Sequence, residues 1–516
     1  MGRSLTRVTP RVVDGMKLPG SFSSATLDRH YQVFSRNGKL YQSESQTGAD
    51  GAEIFRSTHE IQWIVGANAN GSGGLLLRGN YLFEAPLSFY EKTQQWELSP
   101  GFEPSDLGFN RPVLAGCISC HSGRPNPVDQ DTGNYEEKTF SQTAIGCENC
   151  HGPGGAHVRE MKLDPELRRG SKIVNPDHLS ASLENDICMS CHEAGDARVP
   201  RPGKTFQDFR PGKPLDDAVS ILMVPLKAGA PDESDHVQHY FEMSMSKCFR
   251  ATAGQLRCAT CHNPHVEPTK EEAPGYFNAK CMDCHASRMC TLPAAQRKAT
   301  TPADNCIGCH MPQRDTPRLT HTSLTNHRIL ATPGEPWPEE AFKQTTPELP
   351  DLIHLNRVPG REEDLPALTL LEAYREIAQR KPEYTAAYQK TLSQLEGSDP
   401  ENAVVQEALG RRDWESGDGR QAIAHLEHAL KLDPGRAAAY SYLSEALAQE
   451  GEIEEAIGAS EKAVSLEPYN ALYQKALIDR LIAGKQYDKA IAAMDHYMEL
   501  FPEDGLMRKM LDIAKQ

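Results

Sequence analysis

The sequence predicts a multidomain chain with a β-rich N-terminal segment, an irregular and mostly α-helical middle, and an all-α solenoid of repeats at the C-terminus. Three observations predict this fold class. Residues 1–110 contain no cysteine and alternate short apolar runs with turn residues. Residues 111–330 carry six copies of one cysteine-histidine motif, and residues 366–516 repeat small residues and prolines at a fixed period. A length of 516 residues also fits several domains.

The N-terminal segment has the pattern of short paired strands. Residues 30–41 place two short runs on either side of Asn37-Gly38, a dipeptide typical of a two-residue hairpin turn. The apolar stretch 61–66 leads into a glycine-rich stretch, 67–74. Because that stretch lacks the lysine and the helix opening of a phosphate-binding loop, we interpret it as a turn. We expect this β-rich segment to pack on the domain that follows.

Six copies of Cys-x-x-Cys-His dominate the middle of the chain and take up twelve of its 14 cysteines. The paired thiols of such a motif bond covalently to a haem, and the adjoining histidine becomes an axial ligand of the iron. We therefore predict six covalently bound haem c groups. Their attachment residues are Cys117, Cys120, Cys147, Cys150, Cys188, Cys191, Cys258, Cys261, Cys281, Cys284, Cys306 and Cys309. Their proximal iron ligands are His121, His151, His192, His262, His285 and His310.

Zinc ribbons are the alternative, because they also use Cys-x-x-Cys pairs, with two pairs supplying the four ligands. A zinc site does not require a histidine directly after every second cysteine, and here all six copies have one. Disulfides within the pairs would leave these histidines unexplained as well, so we favour haem. The background of Gly, Pro and Asn predicts short helices and long irregular connections, in which haems act as both cross-links and core.

Charge and hydropathy limit the partners and the location of the chain. The formal net charge of −16 disfavours nucleic acid and anionic membranes and suits partners with basic docking faces. No apolar run is long enough to cross a bilayer, so we expect no transmembrane segment. Residues 1–6 do not begin a signal peptide, although haem c is attached outside the cytoplasm. We expect a periplasmic or extracellular protein whose signal peptide was removed or whose reading frame starts too late.

Prolines punctuate residues 331–365 closely enough to prevent a continuous helix, so we expect a linker there. Residues 366–516 then change to Ala, Leu and Glu at helical spacing. Their 34-residue period predicts tetratricopeptide repeats, which have two helices each and small residues where the helices pack closely. The matching positions are Pro400, Pro434, Pro468 and Pro502, Ala422, Ala456 and Ala490, and Gly417 and Gly451. The glycine of the last repeat shifts by one, to Gly484, which we interpret as a capping unit.

Each haem iron needs a second axial ligand or keeps an open position, and the chain has 19 histidines. Six are proximal, and four in the linker and repeats are expected at the surface. These four are His354, His425, His428 and His496. The other nine are enough to give all six haem irons a second histidine ligand. Such bis-His haems have lower reduction potentials than haems with His and Met ligands. The predicted distal ligands are His157, His265, His321, His327, His59 and His30. The remaining three are His178, His236 and His239, and the sequence does not choose between the last two.

Two cysteines, Cys248 and Cys290, fall outside the motifs. For an exported protein we predict a disulfide between them. The alternative is a thiolate ligand or a reactive thiol.

Three stretches resemble bacterial multihaem c-type cytochromes that carry a C-terminal tetratricopeptide tail: residues 147–157, 256–265 and 321–327. These proteins look related to the tetrahaem cytochrome of ammonia oxidisers and, more distantly, to octahaem hydroxylamine-oxidoreductase-like proteins. The resemblance covers most of residues 20–516 and implies extracytoplasmic electron transfer. Similar proteins can carry a further Cys-x-x-Cys-His near the N-terminus, and this chain begins without one.

The resemblance also implies that His157, His265 and one or both of His321 and His327 are distal ligands. The local sequence favours the same residues. A Gly-Pro-Gly turn after the second motif lets His157 reach a neighbouring haem, and His265 follows the fourth motif over a shorter span. His321 and His327 lie just past the last motif.

Electron transfer along a row of mostly bis-His haems is the leading functional hypothesis, because short intervals between motifs force neighbouring haems together. Redox partner proteins would dock on the concave surface of the repeats. The alternative is a multihaem oxidoreductase of a small nitrogen or sulfur compound with one open haem site. A third hypothesis is a scaffold whose haems sense redox state. The sequence leaves the oligomeric state open.

Overall fold

The computed structural model describes the chain apart from a set of short segments. It confirms the predicted fold class: a β-rich N-terminal region, a mixed middle and a run of consecutive helices at the C-terminus. The segments outside the described residues are 1–2, 67–70, 104–106, 168–171, 228–237, 270, 286–289, 314–324, 344–350, 359 and 362–364.

Two antiparallel sheets form the N-terminal region. Its elements are β1 (Leu5–Arg7), α1 (Pro10–Asp14), β2 (Gly20–Ser24), β3 (Arg29–Arg36), β4 (Lys39–Thr47), β5 (Glu53–Ile61), β6 (Trp63–Val65), β7 (Gly71–Arg78), β8 (Tyr81–Tyr90), β9 (Gln95–Leu98) and β10 (Arg111–Pro112). One sheet has the order β2-β3-β4-β5, and the other has β1-β6-β7-β8-β10 with β9 paired to β8. The core between them includes Tyr31, Leu40, Ile61, Leu76 and Phe83.

The predicted hairpin is confirmed. Strands β3 and β4 are antiparallel neighbours, with Arg36 opposite Lys39 at the turn. Asn37 and Gly38 have φ angles of 54° and 72°, which are the left-handed values that a two-residue turn of this kind requires.

The interpretation of residues 67–74 as a turn is wrong in its second half, since residues 71–74 begin strand β7. Residues 67–70 lie outside the described part of the chain. A Cβ atom added at Gly74 would lie 3.0 Å from Cγ2 of Ile61. Glycine is needed here because neighbouring side chains approach the strand closely, and not because the chain reverses direction.

The middle region is mixed. Its strands are β11 (Arg124–Pro127), β12 (Tyr135–Gln142), β13 (Ala197–Pro200), β14 (Val219–Met223) and β15 (Ile353–His354). Its helices are α2 (Ala115–Ser119), α3 (Cys147–His151), α4 (Gly155–Leu163), α5 (Ala181–His192), α6 (His239–Ser244), α7 (Lys247–Ala251), α8 (Cys258–Cys261), α9 (Ala273–His285), α10 (Ala294–Lys298) and α11 (Cys306–His310). Single 3₁₀ turns lie at Pro176–His178, Phe206–Asp208, Leu215–Asp217 and Glu339–Phe342. Strand pairs form a β11-β12 hairpin and a β13-β14-β15 sheet.

Part of the stretch expected to be a linker is built into this region, because β15 pairs with the fully buried strand β14. The expectation that His354 lies at the surface is therefore wrong. His354 is buried, and its Nε2 lies 2.9 Å from Oδ1 of Asp216. Ser220 and Arg201 also bind the Asp216 carboxylate, so this buried charge is paired and hydrogen-bonded.

Nine described helices form the C-terminal region: α12 (Ala367–Ala378), α13 (Thr385–Ser398), α14 (Ala403–Glu415), α15 (Gly419–Leu432), α16 (Ala437–Glu450), α17 (Ile453–Leu466), α18 (Ala471–Ala483), α19 (Tyr487–Leu500) and α20 (Gly505–Ala514). A 3₁₀ turn at Pro382–Tyr384 precedes the second helix. Each described helix has at most 14 residues, and none of them is long and apolar enough to cross a bilayer.

The 34-residue period follows from how each repeat starts and turns. In three repeats a side chain caps the N-terminus of the first helix. Each of these N-cap residues lies two positions after a periodic proline. They are Asn402, Asn470 and Asp504. Gly417 and Gly451 take the left-handed conformation at the end of that helix, with φ of 86° and 87°. In the last repeat Lys485 takes this position, with φ of 59°, which accounts for the shifted Gly484.

The solenoid is attached to the rest of the molecule near both of its ends. Helix α12 packs against strand β13 in a shared apolar cluster. Tyr469, between α17 and α18, packs its ring against Tyr81 and Phe83 of strand β8, with centroid distances of 5.2 and 5.4 Å. The repeats therefore pack against both the middle region and the N-terminal sheet.

Candidate haem-binding cavity

One continuous cavity of about 3140 Å³ runs along the six motifs. Small-molecule sites span roughly 300–1,000 Å³, so this cavity can hold several large ligands side by side. Every motif contributes side chains to its wall. These are Cys117, Cys120, His121, Cys150, Cys188, Cys191, His192, Cys258, Cys261, His262, Cys281, His285, Cys306 and His310.

Each motif lies within or beside a short helix, namely α2, α3, α5, α8, α9 and α11. Residues three and four positions apart on a helix share one face. In α3, α5, α9 and α11, which contain the whole motif, the helix thus turns the two cysteines and the histidine toward the same side. This is the arrangement that two thioether bonds and one axial ligand to a single haem require.

The motifs lie beside one another in an order that differs from the order along the chain. The Cys120 and Cys191 thiols are hydrogen-bonded, which joins the first and third motifs. A hydrogen bond between Cys188 and Cys258 joins the third and fourth, and together with burial it raises the pKa of the Cys188 thiol. Cys150 of the second motif lies near Cys188, and burial raises its pKa.

The last three motifs continue this row. Cys261 of the fourth motif interacts electrostatically with Cys284 of the fifth. Burial raises the pKa of Cys281 in the fifth motif to about 11. The nearby Cys306 of the sixth motif raises this pKa further through its charge, so the two cysteines lie close together. The spatial order is therefore first, third, fourth, fifth and sixth, with the second beside the third.

Main-chain carbonyls orient several candidate ligands. Nδ1 of His151 donates to the carbonyl oxygen of Val174 at 2.8 Å, and Nδ1 of His327 donates to that of Thr325 at 3.0 Å. His310 makes the same bond to Leu330. A donor bond from Nδ1 fixes the tautomer and leaves Nε2 as the metal-binding nitrogen. The donor set thus fits haem iron.

Two predicted distal histidines lie opposite motif histidines. The ring centroids of His151 and His265 are 5.9 Å apart at an interplanar angle of 18°. Those of His262 and His327 are 6.2 Å apart at 31°. Two imidazoles bound to opposite sides of one metal, each nitrogen about 2.0–2.1 Å from it, have centroids roughly 6 Å apart. Both pairs therefore have the spacing of a bis-His iron site.

Comparisons with known proteins identify two parts of the chain. The family described as "Cytochrome c554 and c-prime" matches residues 103–152, which include the first two motifs. The tetratricopeptide repeat family matches residues 413–478. The chain is a multihaem cytochrome with a tetratricopeptide repeat domain. Its haem c groups are covalently bound.

The relatives of this cytochrome are multihaem proteins of bacteria. It is 26% identical over 180 residues to the multiheme cytochrome MtrA of Shewanella baltica, covering 33% of this chain and 52% of the relative. It is 26% identical over 244 residues to the high-molecular-weight cytochrome c of Nitratidesulfovibrio vulgaris, covering 40% and 41%. It is 28% identical over 210 residues to the dissimilatory sulfite reductase MccA of Wolinella succinogenes, covering 35% and 24%. The chain spans about half or less of the length of these relatives.

The chain is also similar to parts of several solved structures. The crystal structure of MamA is 23% identical and covers 27% of this chain and 81% of that chain, with a TM-score of 0.25. The TPR2B domain of yeast Sti1 in complex with an Hsp70 peptide is 24% identical and covers 22% and 91%, with a TM-score of 0.20.

The other distal candidates of the cytochrome have different surroundings. The Nδ1 atom of His157 is buried and has no hydrogen-bond partner. His59 packs its ring on Phe109 at 4.5 Å, its Nε2 lies 2.9 Å from Oγ of Ser57, and burial lowers its pKa to about 4. His30 is hydrogen-bonded to Ser23. Neither His59 nor His30 is among the described residues that line the cavity. His321 lies outside the described residues.

The predicted disulfide between Cys248 and Cys290 is wrong, since both are free thiols. The cause is their neighbourhood: Cys248 lies near Cys284 of the fifth motif, whereas Cys290 lies near Cys306 of the sixth. Burial raises the pKa of Cys248, which disfavours a thiolate.

One residue that the sequence left undecided also lines the cavity. The ring of His239 is 5.5 Å from that of His192 at an interplanar angle of 16°, and 4.3 Å from that of His327. Local sequence could not select it over His236, because His239 approaches its neighbours only through the fold. His236 lies outside the described residues.

Proposed function

We propose that this cytochrome transfers electrons outside the cytoplasm along six covalently bound haem c groups. The observation that supports it best is that all six motifs border one cavity. Haem iron supplies reversible one-electron chemistry when bound. In this proposal residues 111–330 form the haem domain, residues 1–110 pack on it, and residues 331–365 connect it to the repeats at 366–516.

The residues of the chain have three tasks in this proposal. The twelve motif cysteines hold the haems by two bonds each. The motif histidines would bind iron, and His265 and His327 would supply second ligands facing His151 and His262. Carbonyl bonds to Nδ1 hold the rings of His151, His310 and His327 in the orientation that such binding would need.

Redox partner proteins dock on the repeats, beside the end of the row that carries the first motif. Helices α12 and α14 border the cavity through side chains that include Arg375 and Arg411. Glu376 of α12 accepts a hydrogen bond from the main-chain N–H of Arg198 at 3.4 Å. The Arg198 side chain lies 3.4 Å from Sγ of Cys120. A protein bound on the repeats at this end of the row would thus lie close to the first haem.

A haem count with spin states tests the proposal. The holoprotein should have the mass of the 57.0 kDa polypeptide plus six haems and give low-spin electron paramagnetic resonance signals. Replacing Cys306 and Cys309 by Ser should remove one haem, whereas Cys248→Ser, outside the motifs, should keep all six. A colourless protein with the mass of the bare polypeptide would refute the proposal.

The second candidate function is a multihaem oxidoreductase of a small sulfur compound. It is favoured by the likeness to the relative named dissimilatory sulfite reductase MccA. Such an enzyme needs one haem with an open position. A high-spin signal that changes when sulfite is added would support it, and an unchanged, wholly low-spin spectrum would exclude it.

A further inference from the structure

His239 is the first residue of helix α6, and its side chain enters the cavity between two other imidazoles. One belongs to His192, the proximal histidine of the third motif, and the other to His327. The centroid distance of 4.3 Å between His239 and His327 is too short for a metal bound between their nitrogens, because that arrangement needs roughly 6 Å. The distance of 5.5 Å to His192 is close to this value.

The rings of His239 and His327 therefore each pair with a different motif histidine. His327 lies 6.2 Å from His262 of the fourth motif, which leaves His239 to His192 of the third. In this arrangement the inner rings, His239 and His327, contact each other. The third and fourth sites are then adjacent through the contact between His239 and His327.

The carboxylate of Glu193 holds the backbone that carries His239. Its Oε2 accepts the main-chain N–H groups of Tyr240 and Phe241 at 2.9 and 3.0 Å. Glu193 directly follows the proximal histidine His192, and it is fully buried. One short segment of chain thus provides the proximal ligand and fixes the start of the helix on which the opposite imidazole lies.

We propose that His239 is the distal axial ligand of the haem bound at Cys188, Cys191 and His192, and that Glu193 is its positioning residue. This inference rests on the proposed binding of haem by the motifs. It adds to the predicted distal ligands a residue that the sequence did not select.

The test replaces His239 in the holoprotein and measures spin state and haem mass together. In H239A, one low-spin haem should become high-spin while the number of bound haems stays the same. In H239G, added imidazole should restore the low-spin signal, and in H239M the potential of one haem should rise. The matched control is His178→Ala, which removes an exposed histidine of the same region and should change nothing.

Glu193 has its own variants. Glu193→Ala should give a mixture of high-spin and low-spin signal at one haem, and Glu193→Gln, which keeps an acceptor oxygen, should restore most of the low-spin form. An H239A spectrum identical to the wild type, with all haems present, would overturn the assignment of His239. A wild-type protein without covalent haem would instead overturn the proposed function, so the two failures are distinguishable.

Discussion

At the scale of single residues, the sequence predicts both His265 and His59 as distal ligands, but only His265 adjoins a haem motif, and their surroundings differ. His265 faces His151 at 5.9 Å, whereas His59 packs on Phe109 and lies close to Oγ of Ser57. If His265 is the sixth ligand, as proposed, His265→Ala should convert one low-spin haem to high-spin. His59→Ala is the matched control and should leave every haem low-spin. Electron paramagnetic resonance of the oxidised holoproteins measures both, and a new high-spin signal in His59→Ala alone would contradict this assignment.

The difference between proximal and distal ligands marks how far local sequence can predict this site. A motif histidine adjoins its cysteines within five residues, so its chemistry can be inferred from the chain alone. A distal histidine meets its iron through space. His265 follows the fourth motif and yet lies opposite His151 of the second. The spacing of His265 along the sequence does not predict that it meets the second motif, because that contact depends on which motifs the fold brings together.

At the scale of elements, Asp186 links helix α5 to the 3₁₀ turn at 215–217. Its Oδ2 accepts the main-chain N–H of Leu215 at 3.0 Å, and the carboxyl group is buried. Burial raises its pKa to about 7. The folded state therefore holds a proton that the unfolded state releases above about pH 4, and the free energy of unfolding should fall between pH 4 and 7, by up to about 4 kcal/mol.

Asp186→Asn should remove this pH dependence, since the amide oxygen can still accept the Leu215 N–H and carries no charge. The variant should match the wild type near pH 4 and exceed it in stability at pH 8. Urea denaturation followed by circular dichroism at both pH values measures the effect. Asp177→Asn, at an exposed position of the same region, is the control. A parallel loss of stability with pH in Asp186→Asn and the wild type would contradict the expectation.

Tyr469 attaches the repeats to the N-terminal sheet. Its ring packs against Tyr81 and Phe83, and the Arg78 guanidinium lies 4.7 Å from its centroid. Two aromatic pairs at about 0.5–1.5 kcal/mol each and one cation–π contact at about 0.5–2 kcal/mol give an expected cost of about 1.5–5 kcal/mol for Tyr469→Ala. Chemical denaturation measures this loss. Tyr487→Ala, at a tyrosine that is 58% exposed, should cost far less.

The period of the repeats predicts their helices but not this attachment. Pro400, Asn402 and Gly417 act within one repeat, where the prediction needs only local geometry. Tyr469 lies in a turn, and nothing in its neighbours along the chain indicates that it meets a strand almost 400 residues away. The same holds for β15, which local proline content suggested was part of a linker and which a buried strand holds in place.

At the scale of the whole molecule, the repeats contact the haem region through α12 and the N-terminal sheet through Tyr469. Side chains of helices α12, α14 and α16 line part of the cavity. In the proposed function, this arrangement would place a partner protein bound to the repeats near the first motif.

The charge of the molecule determines which partner it attracts over distance. The polypeptide carries a formal net charge of −16, and haem propionates would make it more acidic. The second-order rate of electron exchange with a small basic redox protein should fall about tenfold or more as ionic strength rises from roughly 0.01 to 0.5 M, because salt screens long-range attraction. An uncharged reductant is the control and should show little change. Stopped-flow measurement of haem reduction compares the two, and a rate with the basic protein that stays constant or increases with salt would show that the acidic surface does not steer the encounter.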